Sequence, residues 1–281
     1  MLTSPAELLS AARDGKYAVG AFNFHNLDIV HAILSAAEEE KAPVILQVTP
    51  TYLSHLGVAS GATAALAAIQ ECPVPAALHL DHANTFEEII RALCHGFNSV
   101  MIDASRFPLE KNIDLTARVV ETAHAVKAYT EAELGHILGV EDLDQPDRRS
   151  GGLAAPGEAA ILVSRTGVDS LAPAVGTAHG MYTSTPNIDF SRIREIADKT
   201  RVPLVLHGGS GIPDEMIREA IAAGIQKINV GTELKLAWAG AVKRVLESGE
   251  TETRKIASAA REGVKEVVRQ KIRLFGANGR V

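Results

Sequence analysis

Ten histidines are spread over the 281 residues, and their positions, not their number, separate those that can do chemistry. His82 follows a short apolar run, His179 follows another, and His207 ends a third. If each run is a strand of one parallel barrel, all three imidazoles project at its C-terminal rim, where barrel enzymes hold their sites. Three imidazoles with an open fourth position are the ligand set of a catalytic zinc. Asp81 stands directly before His82, and neighbouring residues at a strand end can face a metal and a substrate respectively. Asp81 is therefore a candidate general acid or base; its alternative reading is a helix N-cap or a hydrogen bond to a ligand imidazole. Asp103 and Glu133 end two further runs. Carboxylates there can orient the histidines, hold an alternative metal position or offset the charge of the cation.

The other histidines read differently. His25 lies near the rim as well, but Asn26 beside it and the helix that follows fit a capping role. The helical surroundings of His31, His95 and His124 favour surface or packing roles, and His79, two residues before Asp81, is an inward core or supporting position. His55 and His136 fall in loops and take no role. Two glycine-rich turns complete the candidate set. In LHGGSGIPDEMI, Gly208, Gly209, Ser210 and Gly211 let backbone N–H groups approach a phosphate near a helix N-terminus. In INVGTELK, Asn229, Gly231 and Thr232 follow the last strand. Gly-Gly-Ser-Gly alone also serves tight turns, but turns after strands seven and eight are where many barrels hold phosphate.

These side chains need a frame that brings them together. Eight apolar or β-branched runs, at 17–24, 42–49, 74–81, 99–104, 126–133, 170–177, 202–209 and 225–232, alternate with segments of helical period such as 27–41, 85–96 and 213–224. Eight such units close most naturally into an α/β fold of the (β/α)8 barrel type. A doubly wound open sheet is the other arrangement, and it lacks its glycine fingerprint after the first strand. The length and the 46% hydrophobic content suit one barrel over residues 1–281. Residues 135–160, rich in Gly, Pro and Asp, read as an active-site lid after strand five, with a surface insertion as the alternative. After Gly249 comes a charged amphipathic helix whose apolar stripe can pack on the barrel or on another subunit.

A net charge of −6 without a Lys/Arg-rich run argues against nucleic acid. No run approaches the roughly 20 apolar residues of a membrane span, and the first residues lack the apolar core of a leader, so the expectation is a cytoplasmic protein. Cys72 and Cys94 read as buried or half-buried thiols rather than a disulfide.

The strings AFNFHN, HLDHA, SVMIDAS, EAELG, GTAHGMY, LHGGSGIPD and KINVGTELK, in this order and spanning nearly the whole chain, resemble the class II fructose- and tagatose-bisphosphate aldolases. The resemblance implies zinc held by His82, His179 and His207, with Asp81 as the group that serves the C4 hydroxyl proton. It implies substrate contacts by Gly180, Gly208, Gly209, Ser210, Asn229, Val230, Gly231 and Thr232, mainly at the dihydroxyacetone-phosphate end, and a monovalent cation near the phosphate. Asp103 and Glu133 match carboxylates lining an alternative metal position, and Glu141 matches a lid carboxylate that moves the C3 proton. A homodimer or homotetramer is implied as well. Where fructose-bisphosphate members commonly carry a lysine after the histidine-glycine pair, this chain has GMYTSTP, which together with NVGTELK leans to the tagatose branch. The familiar glycine pair of the lid appears as Leu138 and Gly139.

The implied reaction is the reversible cleavage of a ketose 1,6-bisphosphate to dihydroxyacetone phosphate and glyceraldehyde 3-phosphate. Zinc would act as a Lewis acid at the C2 carbonyl and C3 hydroxyl oxygens. Competing readings are a Schiff-base aldolase using Lys227, a zinc hydrolase, an aldolase of another phosphorylated ketose, and a sugar-phosphate binding barrel without catalysis.

Overall fold

The eight apolar runs are strands in a computed structural model, which describes residues 1–137, 139 and 152–281. They are β1 (Val19–Asn23), β2 (Val44–Val48), β3 (Ala76–Ala83), β4 (Ser99–Ile102), β5 (Tyr129–Leu134), β6 (Ser170–Pro173), β7 (Leu204–Leu206) and β8 (Ile225–Val230). All pairs are parallel, and β8 returns to β1 to close the barrel. Helices cover the outside while side chains fill the lumen. The strands are therefore buried on both faces, which is why they read as continuous apolar runs rather than alternating ones.

The expected helices stand as α2 (Leu27–Glu40), α5 (Phe86–Cys94) and α9 (Asp214–Ala223). Their starts are chemically specified. Asn26 caps α2 through its side chain, 3.0 Å from the Ile29 N–H. Thr85 and Glu88 form a reciprocal capping box on α5. Around them lie α1 (Pro5–Gly15), α3 (Pro50–Leu56), α4 (Val58–Glu71), α6 (Leu109–Ala125), α7 (Pro156–Thr166), α8 (Phe190–Thr200), α10 (Thr232–Glu247) and α11 (Thr253–Leu274). His55 thus sits on α3 and not in a loop, because Pro50 at the first turn starts a short helix there.

The C-terminal helix packs on its own barrel. Ala260, Val264, Val268 and Ile272 of α11 are buried, and its polar edge pairs Arg261 with Asp28 at 2.8 Å and Arg269 with Glu40 at 3.0 Å. Cys72 is buried as expected, but Cys94 is exposed, since the last turn of α5 leaves that face uncovered. No single helix among the described residues is long and apolar enough to cross a membrane.

Candidate active site

The lumen changes character toward the C-terminal ends of the strands. Toward that rim Asn23, Gln47, His79, Asp81, Glu131, Glu133, Lys227 and Asn229 are all buried. Polar groups in such a place are stable only when paired, and most of these pair with one another.

Asp81 and His82 come to the site through a defect in β3. Pairing with β4 runs His79 with Ser99 and Leu80 with Val100, then resumes at Ala83 with Ile102, so β3 carries one extra residue. At that bulge His82 adopts a left-handed backbone with φ of 51°. In a regular strand, neighbours point to opposite faces. The bulge breaks that alternation and lets both residues face the rim, with His82 Nε2 4.0 Å from Asp81 Oδ1. The expectation that His82 merely follows the strand is corrected here: it lies inside β3, at the irregularity.

Asp81 is fully buried and surrounded by amide donors. Asn23 Nδ2 and Gln47 Nε2 each lie 3.1 Å from its Oδ2, and Asn229 Nδ2 lies 3.3 Å from Oδ1. Burial pushes its pKa up, but His82, His207 and Lys227 outweigh that and hold the carboxyl below its usual range. It is an ionised acceptor built into the wall, which does not match the alternative reading of a helix cap.

His82, His179 and His207 converge. Their candidate ligand atoms all lie within 4.8 Å of one another, and the His82 ring meets those of His179 and His207 at 4.9 and 4.7 Å between centroids. Burial, and then the neighbouring His82, pushes His179 well below its ordinary pKa. Burial also lowers His207 against the opposing pull of Glu131. Neutral imidazoles are the form that binds metal. The Nδ1 atom of His207 and the Oε2 atom of Glu133 are buried with no hydrogen-bond partner among the described residues, as expected of atoms that complete their bonding on a cation. His82, Asp103 and Glu133 form a second cluster of the same size. Its two acids are driven apart. Burial raises Asp103, but hydrogen bonds from His82 and Ser105 bring it well below its usual range. Burial and the Asp103 charge raise Glu133 well above its own.

The glycine turns also gather at this rim. The turn after β7, which leads into α9, also touches the first turn of α10: the Glu233 N–H points to Ser210 Oγ at 3.3 Å. Two of its four N–H groups are already used, that of Gly209 by the Asn229 carbonyl at 2.9 Å and that of Gly211 by the Glu233 carboxylate at 2.5 Å. The N–H groups of Gly208 and Ser210 remain for an anion. Gly208 has φ of 66°, and a Cβ there would lie 2.2 Å from the Ala178 oxygen, so only glycine fits. Val230 ends β8, and Gly231 and Thr232 begin α10 beside this turn. Gly180, with φ of 97°, follows His179. Tyr182 ties the two loops, accepting the Ala178 N–H and donating its hydroxyl to the Gly208 carbonyl, both at 2.9 Å.

Leu138, Glu141 and most of the expected lid lie outside the described residues. Its two ends meet, with the His136 N–H on the Gly152 carbonyl at 2.9 Å, and α7 takes over at Pro156. At Gly139 a Cβ would lie 2.5 Å from the His179 carbonyl oxygen. His25 belongs to a separate corner, its ring packed edge-on to Tyr52 at 4.2 Å.

Sequence reasoning passed over Asn23, Gln47 and Glu131. A signal was present: each is a polar residue inside a strand otherwise read as buried on both faces.

The fold and this rim define a barrel with a cluster of three histidines able to hold a metal ion, a buried carboxylate beside it and a glycine-rich turn at the same rim. The class II fructose-bisphosphate aldolase family model matches residues 3–280, and the chain belongs to that family, whose members are zinc-dependent lyases. A fructose-bisphosphate aldolase of Geobacillus stearothermophilus is 45% identical over 286 residues, covering 99% of this chain and 98% of that protein. The crystal structure of the YdjI aldolase from Escherichia coli K12 superposes with a TM-score of 0.90 at 37% identity, covering 99% of both chains. The fructose-bisphosphate aldolase of Campylobacter jejuni, at 22% identity and a TM-score of 0.84 over 100% of this chain and 97% of that one, shares the fold.

Proposed function

We propose that this aldolase cleaves a ketose 1,6-bisphosphate between C3 and C4, giving dihydroxyacetone phosphate and glyceraldehyde 3-phosphate, with tagatose 1,6-bisphosphate preferred over fructose 1,6-bisphosphate. The observation that carries the reading is the pairing of Asp81, a buried carboxylate held ionised, with the convergent His82, His179 and His207.

His82, His179 and His207 would hold the zinc, with Asp103 and Glu133 available to an alternative position. Zinc supplies Lewis-acid stabilisation of the negative charge that reaches the C2 oxygen. Asp81 takes the C4 hydroxyl proton as the C3–C4 bond breaks, and C4 becomes the aldehyde carbon. Glu141 delivers the proton that C3 needs to become the hydroxymethyl carbon of the second product. The Gly208 and Ser210 N–H groups, with Gly180, Gly209, Asn229, Val230, Gly231 and Thr232 around them, hold the dihydroxyacetone-phosphate end and fix the reacting carbons. A monovalent cation beside the phosphate belongs to the same reading, as does a homodimeric or homotetrameric state. Lys227 takes no covalent part, because its Nζ lies 2.6 Å from Glu131 Oε2.

The tagatose preference rests on the GMYTSTP turn, which stands where fructose-bisphosphate members commonly carry a lysine, and on the turn NVGTELK. The two bisphosphates differ only in configuration at C4, so comparing kcat/KM on the pair tests the reading directly. A higher value on tagatose 1,6-bisphosphate is expected; a higher value on the fructose isomer would reverse the assignment.

A further inference from the structure

Five buried side chains, four on strands and the fifth directly after β7, form one chain of hydrogen bonds that ends at the histidine cluster. Ser99 Oγ lies 2.6 Å from His79 Nδ1, and His79 Nε2 lies 3.3 Å from Lys227 Nζ. Lys227 Nζ donates to Glu131 Oε2 at 2.6 Å, and Glu131 Oε1 lies 2.9 Å from His207 Nε2. The four titratable members are each about 1% exposed. Every proton position in this chain follows from its middle. A protonated lysine has only donors, so His79 Nε2 must accept, and His79 carries its proton on Nδ1 toward Ser99. An ionised carboxylate has only acceptors, so His207 Nε2 must be the donor. The lone pair of His207 is thereby left on Nδ1, a buried atom without a hydrogen-bond partner among the described residues, 3.5 Å from Glu133 Oε2.

We propose that Glu131 and Lys227 are a positioning pair: Lys227 neutralises Glu131, and Glu131 fixes the tautomer and ring direction of His207 so that Nδ1 faces the metal position. The inference rests on reading His207 as a zinc ligand. Carboxylates behind a ligating histidine act this way in metal sites, and their loss typically lowers metal affinity 10- to 100-fold. The pairing makes a sharper demand. Glutamine at 131 offers one acceptor where two donors need one each, so either His207 or Lys227 goes unserved. Removing Lys227 as well relieves that conflict and lets the amide oxygen face His207.

The test is zinc affinity of the full-length protein, stripped of metal and titrated against a chromophoric chelator, with the cobalt(II) absorption spectrum as a geometric readout. Glu131→Gln should bind zinc roughly 10- to 100-fold more weakly and show a changed cobalt spectrum. Adding Lys227→Met should restore both in large part. Wild-type affinity in Glu131→Gln, or a deeper loss in the double variant, would overturn the pair as a positioning device. His207→Ala separates the two layers: if it binds zinc normally, the ligand assignment itself fails, whereas loss in His207→Ala with none in Glu131→Gln removes only the present inference. Nitrogen NMR of histidine-labelled, metal-free wild-type protein decides the matter even if the variants do not fold. A proton on Nε2 of His207 and a bare Nδ1 are expected, and a bare Nε2 contradicts the pair.

Discussion

Asn229, at the end of β8, places its Nδ2 3.3 Å from Oδ1 of Asp81 on β3, so one residue of the turn proposed to hold phosphate also touches the carboxylate proposed to move the C4 proton. On that proposal, binding at the turn and proton transfer at Asp81 are joined by a single side chain. Asn229→Ala is expected to raise KM and lower kcat together, measured by steady-state cleavage, and a change confined to KM would show that the contact has no part in the chemistry.

Asp81 and Glu141 should separate in their kinetics. Asp81→Ala removes the group serving the C4 hydroxyl, and cleavage should fall by roughly 10²- to 10⁴-fold, the span of general acid–base catalysis. Zinc and dihydroxyacetone phosphate should still bind. That variant should keep exchanging the C3 proton of dihydroxyacetone phosphate with heavy water, while Glu141→Ala should lose exchange and cleavage together. Equal loss of exchange in both zinc-loaded variants would mean that the two carboxylates do not divide the protons.

Chelation should abolish activity and added zinc should restore it. His207→Ala should lose the metal, read by elemental analysis, because its imidazole belongs to the convergent trio. His124→Ala should not, because His124 lies on another face, bonded to Asp169 at 2.9 Å. Full activity in metal-stripped protein would remove zinc from the reaction.

Gly208→Ala forces a methyl group against the Ala178 carbonyl, 2.2 Å away, and onto a backbone with φ of 66°. The turn must shift, and the Kd for dihydroxyacetone phosphate should rise by about tenfold or more, which corresponds to 1.4 kcal/mol. Zinc content should be unchanged. Unaltered phosphate-end affinity, measured calorimetrically, would place the anion elsewhere.

Two histidines outside the metal cluster make the fold sensitive to acid. Burial, and then Lys227, lowers His79 to about 3; burial, and then Lys235, lowers His25 to about 3. Both pKa values are depressed in the folded state, so the unfolded chain takes up protons between about pH 6.5 and pH 3 that the folded chain refuses. The stability tied to them is complete above pH 6.5 and is lost as pH falls, at about 1.4 kcal/mol per pH unit for each. Denaturant unfolding of metal-free protein between pH 7 and pH 5 should show this slope, and His79→Gln should flatten it; an identical slope in the variant would mean that His79 takes no part.

The barrel was legible because parallel strands buried on both faces are continuous apolar runs, and all eight appear where such runs occur. The histidine trio was legible for a related reason, since each member stands at or just past the end of an apolar run and every run ends at the same rim. What was not legible depends on irregular backbone and on hydrogen-bond direction. The bulge that turns His82 toward Asp81 could not be placed from residue type, since histidine is enriched in the left-handed backbone but most histidines still lie elsewhere. Glu131 sits two positions before Glu133, and only three-dimensional pairing shows that one grips Lys227 and His207 while the other faces the metal cluster. The lean of the Gly208–Gly211 turn onto α10 is likewise set by the seating of Gly209 on Asn229, a contact between residues 20 positions apart.

The left-handed backbone of His82 has one more consequence. Holding a non-glycine residue in that conformation costs about 1–2 kcal/mol, a sizeable part of the 5–15 kcal/mol margin of a typical fold. Selection for robustness alone would put glycine at position 82 and gain from the exchange. If His82 holds metal as proposed, the histidine is kept there for chemistry against stability, and a gene freed from that duty should drift at this position before it drifts in the surrounding core.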